Sequence, residues 1–354
     1  MRDVLSEWQP VVDDAIEELL PRAVDEAYLD EWFGPASHRY DPDAIQRALS
    51  DPIWDLLDRG GKRWRAVVCL LLLDGFGADP HAYLPYACIP EVLHNGTIIV
   101  DDVEDEAEIR RGEPALHHVF GEDIALNAGN AMYFLPLKIV GKNPAGLDPE
   151  TQLAIYDMLM DELNRTHLGQ GMDIHWHRNR DVSVGEAEYL EMCACKTGCL
   201  GRIVARLAAL ITDQSSEVER EIAAYAEEMS IAFQIGDDIL DVESTIEGTT
   251  EFGKAFGNDI REGKRTLMVI HALSAADPAE ADRLAETLHA EENTREEILD
   301  AIEILQTTGS IEYARERALE FAESARKHLR DVSLKEERAD QLASFTTFVI
   351  DRDV

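Results

Sequence analysis

Lysine is almost missing from this chain. There are eight in 354 residues, at positions 62, 138, 142, 196, 254, 264, 327 and 335. Lys and Arg together number 33 against 71 acids, a formal charge of −38. A field of that sign opposes attachment to nucleic-acid phosphates or to an anionic membrane surface. The acids run along the whole chain instead of forming one block, so they describe a surface and not an acidic tail. Such self-repulsion is tolerable where salt is concentrated, because the Debye length falls to about 3 Å at 1 M. A salt-accumulating cytosol explains the composition; an acidic mimic of nucleic acid is the alternative.

Cysteine is scarce as well. The five present, Cys69, Cys88, Cys193, Cys195 and Cys199, are an odd number set mostly in apolar stretches, which argues against a disulfide framework. CACKTGC lacks the spacing of a zinc site and has no nearby His pair, so these residues read as buried free thiols. The longest apolar run, Ala66 to Leu73, is far shorter than the roughly 20 residues that span a bilayer. MRDVLSEWQP has early acids and no apolar core, unlike a signal peptide. A cytoplasmic protein without stable membrane insertion is expected. Alternating strand patterns and internal repeats are lacking too. The chain reads as one all-α domain over 1–354, with residues 1–40 a helical extension that carries no obvious chemistry.

What is present centres on Val92 to Gly112, VLHNGTIIVDDVEDEAEIRRG. Residues four apart on a helix share a face at about 6 Å, so Asp101 and Asp105 point the same way below an apolar wall. Carboxylates held that close repel unless a cation lies between them. Mg²⁺ suits oxygen ligands and commonly brings a phosphate with it. Arg110 and Arg111 follow, with forked donors suited to that phosphate. His94 lies two helical turns before Asp101 on roughly the same face, placed for a ligand contact.

One DDxxD pattern should arise by accident about 0.3 times in such a chain, so a single copy says little. A second copy, Asp237, Asp238 and Asp241 in FQIGDDILD, lies in another apolar helical pattern. Four of the few lysines stand in Gly- or Thr-containing motifs, GGKRWR, KTG, GKAFGND and GKRT, as phosphate-binding residues would. In GGKRWR the glycines allow close backbone approach, and the following helix N-terminus favours an anion. The pattern further predicts helices over 151–176 and 187–210, the second behind a capping box at Ser183–Glu186 and interrupted at Gly198. Ser215 or Ser216 should cap the helix bearing the second acidic motif. Residues 248–264 read as a loop, and Pro136 as a kink.

These motifs resemble the trans-isoprenyl diphosphate synthases. DDVEDEAEIRRG and GDDILD are similar to that family's two aspartate-rich motifs. GGKRWR, KTG and GKAFGNDIREGKRT follow its other motifs in order and spacing, from about residue 40 to the C-terminal region. HNGTIIVDDVED, NAMYFLPL, HLGQGMDIHW and GSIEYARERALE resemble the geranylgeranyl diphosphate synthases of the eukaryotic type. Ala66 replaces a common Pro and Asn130 a common Asp; neither touches a motif needed for chemistry.

The resemblance implies a bundle of helices around a central cavity, usually a homodimer. It also implies a Mg²⁺-dependent head-to-tail condensation with three metal ions per active site. An allylic diphosphate (dimethylallyl, geranyl or farnesyl) would bind through Mg²⁺ to Asp101, Asp105 and Asp237, supported by Asp102, Asp238 and Asp241. Arg110, Lys196 and Lys254 would add positive charge, and Thr197 and Gln234 would lie near the allylic cation. Isopentenyl diphosphate would be held by Lys62, Arg65, His94, Arg111 and Lys264. The small residues Gly96 and Thr97 would leave the product channel open down to Tyr133, Phe134 and His167, giving a C20 product. The alternatives are a C15 or a C25 and longer product, or a non-catalytic subunit of a heteromeric synthase. Such subunits typically lose acidic motifs that are intact here.

Overall fold

In the computed structural model, which describes residues 2–179, 183–247, 256–290 and 292–348, the three-and-four spacing of apolar residues becomes helix almost throughout. The all-α expectation holds. The one strand pairing among the described residues is a two-residue ladder, Ile109–Arg110 with Glu113–Pro114. Its loop residues Arg111 and Gly112 have φ of 55° and 79°, the backbone of a tight primed hairpin turn. Among the described residues no helix is long and apolar enough to cross a membrane.

The helices gather into two compact units, a division the sequence pattern does not announce. The first comprises Met1–Leu159, Leu207–Gln214 and Leu334–Arg338. It holds α1 (Arg2–Leu19), α2 (Glu26–Phe33), α3 (Asp51–Asp58), α4 (Trp64–Gly75), α5 (Ile89–Glu104), α6 (Glu122–Lys142) and the first turns of α7 (Pro149–Arg178). Every residue of α4 except Asp74 is buried, as an all-round apolar helix requires. The N-terminal extension packs on it: α1 lies against α4 and buries Leu5, Val12, Ala15, Ile16 and Leu19. Along α5 and α6 each helix offers the other a glycine. A Cβ at Gly96 would meet Met132 Cβ at 2.7 Å, and one at Gly129 would meet Val100 Cγ2 at 2.8 Å. That close seam holds α5 against α6.

The second unit comprises Met160–Arg206, Ser215–Ser333 and Ala339–Val354. It holds the rest of α7, α8 (Glu186–Cys193), most of α9 (Cys199–Ile211), α10 (Ser216–Glu247), α11 (Leu267–Ala275), α12 (Pro278–His289), α13 (Arg295–Thr307), α14 (Ser310–Arg330) and the rest of α15 (Glu336–Phe348). Ile311, Ala314, Ala318, Ala322, Ala325 and Leu329 form one buried stripe on α14, which packs along α10. Buried Arg202 joins Glu162 of α7 to Glu227 of α10. Removing one partner of such a buried pair costs about 3–5 kcal/mol, because the other charge stays behind.

Three local expectations need correcting. The capping box at Ser183–Glu186 does not form; Gly185 is the N-cap of α8, with no side-chain hydrogen bond. Gly198 does not break the helix. The chain widens there into a π turn, Ala194–Gly198, between α8 and α9. Within 256–264 a short helix, Asn258–Arg261, replaces part of the expected loop, while 248–255 lie outside the described residues. The Ser215 cap is present, its Oγ accepting from the Val218 N–H at 3.3 Å.

Candidate active site

In the first unit, the end of α5 carries the first acidic motif. Asp101 and Asp105 are half-buried, and the Asp105 N–H donates to the Asp101 carbonyl at 2.8 Å. A helix C-terminus already holds partial negative charge, so adding carboxylates there is unfavourable until a cation arrives. Asp102, 2% exposed, turns the other way and accepts from Arg110 Nε at 2.7 Å. Burial pushes its carboxyl above the ordinary value, and the Arg110 guanidinium opposes that shift.

The primed turn of the hairpin aims Arg111 into the same unit. Its Nη1 donates to the carbonyls of Leu56 (2.9 Å) and Gly60 (2.6 Å), and its Nη2 to Asn95 Oδ1 (3.0 Å). The GGKRWR loop thus lies against the hairpin that follows the acidic motif. Within the loop Lys62 is exposed, while Arg65 is 3% exposed with its guanidinium 4.2 Å from the Trp64 ring centroid. Burial, then the charges of Arg65, Arg111, Arg110 and Arg63, hold His94 well below the ordinary imidazole value. His94 is therefore an uncharged imidazole at neutral pH. Burial and Arg63 likewise lower Arg111 to about 10, which leaves it charged.

In the second unit the π turn does the positioning. Inserting one residue in a helix re-aims the side chains around it, and such turns favour functional sites. Lys196 Nζ reaches Asp173 Oδ2 of α7 at 2.7 Å. Thr197 Oγ1 donates to Gln234 Oε1 (3.0 Å), and Gln234 Nε2 donates to Asp238 Oδ1 (2.9 Å). Tyr189 of α8 donates to the other Asp238 oxygen at 2.8 Å. Asp241 Oδ2 accepts from the Asp259 N–H at 3.2 Å, and Lys264 Nζ lies 2.5 Å from Glu262. Asp237 is half-buried on α10. Gly169 has its reason here: a Cβ would come within 2.4 Å of the Lys196 nitrogen.

The structure brings together Thr197 and Gln234, which the resemblance sets near the allylic cation, and joins Asp238 to them; it also sets Arg110 on Asp102 of the first acidic motif. Sequence reasoning missed Arg63, Asn95, Asp173 and Tyr189. Asp173 was visible as an acid inside GQGMDIHW, but nothing local says that a lysine 23 residues later will meet it. Lys254 lies outside the described residues. The missing side chain of Gly96 admits α6, so helix packing gives this glycine a structural reason of its own. Of the remaining channel candidates Thr97 is half-buried and Tyr133 is 7% exposed, whereas Phe134 is 66% exposed and His167 is exposed.

The donors suit magnesium. Among the described residues no group of three or more His, Cys, Asp or Glu side chains is arranged to hold a metal by itself. Mg²⁺ typically binds through one or two carboxylates and completes its shell with water and substrate phosphate. Asp101 and Asp105, both half-buried in the first unit, offer carboxylates of that kind, and so, separately, does half-buried Asp237 in the second.

An all-α scaffold with one acidic motif at a helix end, a second inside a long helix and basic motifs at loops and turns is that of a prenyltransferase with the isoprenoid synthase fold. The solved geranylgeranyl pyrophosphate synthetase of Pyrococcus horikoshii is similar at 27% identity and a TM-score of 0.84, over 99% of this chain and 98% of that one. Residues 46–305 match the polyprenyl synthetase family model, and the chain belongs to that family. It is 33% identical over 351 residues to a geranylgeranyl pyrophosphate synthase of Geoglobus acetivorans, covering 99% of each. It is 32% identical over 309 residues to a geranylfarnesyl diphosphate synthase of Aeropyrum pernix, covering 86% of this chain and 94% of that protein.

Proposed function

We propose that this protein is a cytoplasmic, Mg²⁺-dependent synthase that joins isopentenyl diphosphate head to tail to an allylic diphosphate, giving chiefly the C20 geranylgeranyl diphosphate. The observation that carries this reading is the presence of two different devices for diphosphate. One is a pair of carboxylate motifs, with Asp101 and Asp105 in the first unit and Asp237 in the second; the other is basic, at Lys62, Arg65 and Arg111 of the first unit. A chain that condenses two diphosphates needs both.

Mg²⁺, when bound, would neutralise the diphosphate that leaves the allylic carbon. Asp101, Asp105 and Asp237 would hold it, with Asp102, Asp238 and Asp241 fixed by their own hydrogen bonds as support. Arg110 and Lys196, the latter oriented by Asp173, add charge on the leaving group; Lys254 has the same role by its family motif. The Thr197 hydroxyl, the π-turn carbonyls and Gln234 present oxygen dipoles to the allylic cation. Lys62, Arg65, Arg111 and Lys264 bind the second diphosphate. His94 serves there as a hydrogen-bond partner. The departing diphosphate takes the final proton, so no side chain is assigned as general base. Incubation with Mg²⁺, isopentenyl diphosphate and each allylic primer tests the reading, and a protein inert with every primer defeats it.

Chain length rests on Tyr133, the buried member of the candidate floor. The wild type should give mainly C20, and Tyr133→Ala should shift product to C25 or longer. Mainly C15 from the wild type, or an unchanged product from the variant, places the floor elsewhere. Phe134 and His167, exposed on one chain, would take part only once a second copy covers them. Leu153 (61% exposed), Met160 (52%) and Leu168 (65%) on α7 are also apolar and uncovered. A homodimer that buries these side chains accounts for their exposure. Sedimentation should return twice the chain mass, and Phe134→Glu should shift it towards the monomer.

A further inference from the structure

Between α3 and α4 the backbone follows a costly path. Gly60 and Gly61 have φ of 100° and 132°, and Arg63, which is not glycine, has φ of 50°. A bulky residue in that region costs on the order of 1–3 kcal/mol and persists only where its surroundings dictate it. Here the surroundings act through the Arg63 guanidinium, in a residue 3% exposed. Nη2 donates to the Leu57 carbonyl (2.9 Å) and Nη1 to that of Gly60 (3.3 Å), so the side chain ties together the loop it belongs to. Nε donates to Asp13 Oδ1 at 2.6 Å, and the buried Glu91 of α5 lies 3.9 Å from Nη1. A Cβ on Gly61 would come within 2.7 Å of Nη1, so the second glycine makes room for this guanidinium.

Asp13 belongs to α1, the helix to which the sequence assigns no chemistry. One turn before it, Gln9 Nε2 donates to the Gly61 carbonyl at 3.2 Å. Two residues of the N-terminal helix therefore hold the Gly60–Arg65 loop, one through Arg63 and one directly. Asp13 is 38% exposed in its side chain, on the wall of a cavity of about 260 Å³ shared with Gln9, Trp54 and Gly60.

We propose that Asp13 and Gln9 are positioning residues for the basic diphosphate site. Asp13 fixes Arg63, which ties the loop together, and Gln9 holds Gly61 directly; Lys62 and Arg65 engage the anion from the backbone so held. The ordering cost of the loop is then met before the ligand arrives. Arg63, although inside the GGKRWR motif, is a frame and not a ligand. This inference rests on the reading of Gly60–Arg65 as a diphosphate loop.

The test uses the full chain with Asp13→Asn, which keeps shape and removes charge at a solvent-reached position. The KM for isopentenyl diphosphate should rise about tenfold, as befits losing most of one charged hydrogen bond. The KM for the allylic substrate, kcat and the melting temperature should stay near wild type, and Asp13→Glu should recover most of the loss. Calorimetric titration with inorganic diphosphate in chelator reads the basic site without metal or turnover, and Asp13→Asn should weaken it by a similar factor. Equal rises in both KM values, or diphosphate binding unchanged in Asp13→Asn, would overturn the proposal. A wild type that binds diphosphate but never consumes isopentenyl diphosphate would defeat the functional reading alone, and the titration would still decide this one.

Discussion

Asp101→Ala and Asp237→Ala should each lower turnover by about 10³-fold or more, the scale of losing electrostatic stabilisation of a developing anion, while leaving the fold intact. Asp101 is half-buried in the last turn of α5, and Asp237 half-buried on α10. A carboxylate in the last turn of a helix opposes the macrodipole, so removing Asp101 relieves a small cost. Neighbouring acids would make worse tests. Asp102 is 2% exposed and paired with Arg110, and Asp238 accepts from Tyr189 and Gln234. Removing Asp238 leaves the buried Tyr189 hydroxyl unsatisfied, at about 1–3 kcal/mol, and removing Asp102 takes an ion pair from half-buried Arg110, so either mixes stability with chemistry. Turnover at saturating Mg²⁺ and the melting temperature, measured on the same preparations, separate the two. Near-normal activity in either variant would overturn the metal assignment.

The contrast between those acids marks what a sequence can disclose. Both DDxxD copies were legible because their spacing, against an apolar helical background, has few other uses. The division of labour inside each copy came from the family resemblance and not from the spacing, which does not say which carboxylate turns toward Arg110 or Tyr189. Gly96 shows the same limit: a small residue before an acidic motif can open space or admit a neighbouring helix, and the contact with Met132 comes from packing that spacing does not encode. Gly198 was correctly singled out as an irregularity. Its form, a π turn that orients Lys196 and Thr197, follows from packing against α7 at Gly169. The role of α1 was invisible, because Asp13 and Gln9 meet the loop only through a contact some 50 residues away in sequence. The all-α architecture was read from periodicity, which is a local property; the division into two units depends on long-range contacts that periodicity does not encode.

Lowering the salt concentration should unfold this protein. Its net charge is −38, and the helices set like charges at neighbouring positions. Exposed Asp14 and Glu18 are four apart on α1, as are exposed Asp3 and Glu7. A like-charge pair of this kind costs about 0.2–0.5 kcal/mol, so each ten would remove roughly 3 kcal/mol. Set against a net stability on the order of 5–15 kcal/mol, the sum over a strongly acidic surface decides whether the fold persists. Screening settles the sign. At about 0.15 M salt the Debye length is roughly 8 Å, longer than a helical turn, and at about 1 M it is roughly 3 Å, shorter than the spacing of these pairs. Helicity and melting temperature should therefore rise steeply between about 0.05 and 2 M KCl and fall again on dialysis. The same series in sucrose separates screening from preferential exclusion, which stabilises without shielding charge. A melting temperature that ignores KCl, or follows sucrose equally well, would refute adaptation of this surface to a salt-rich cytosol.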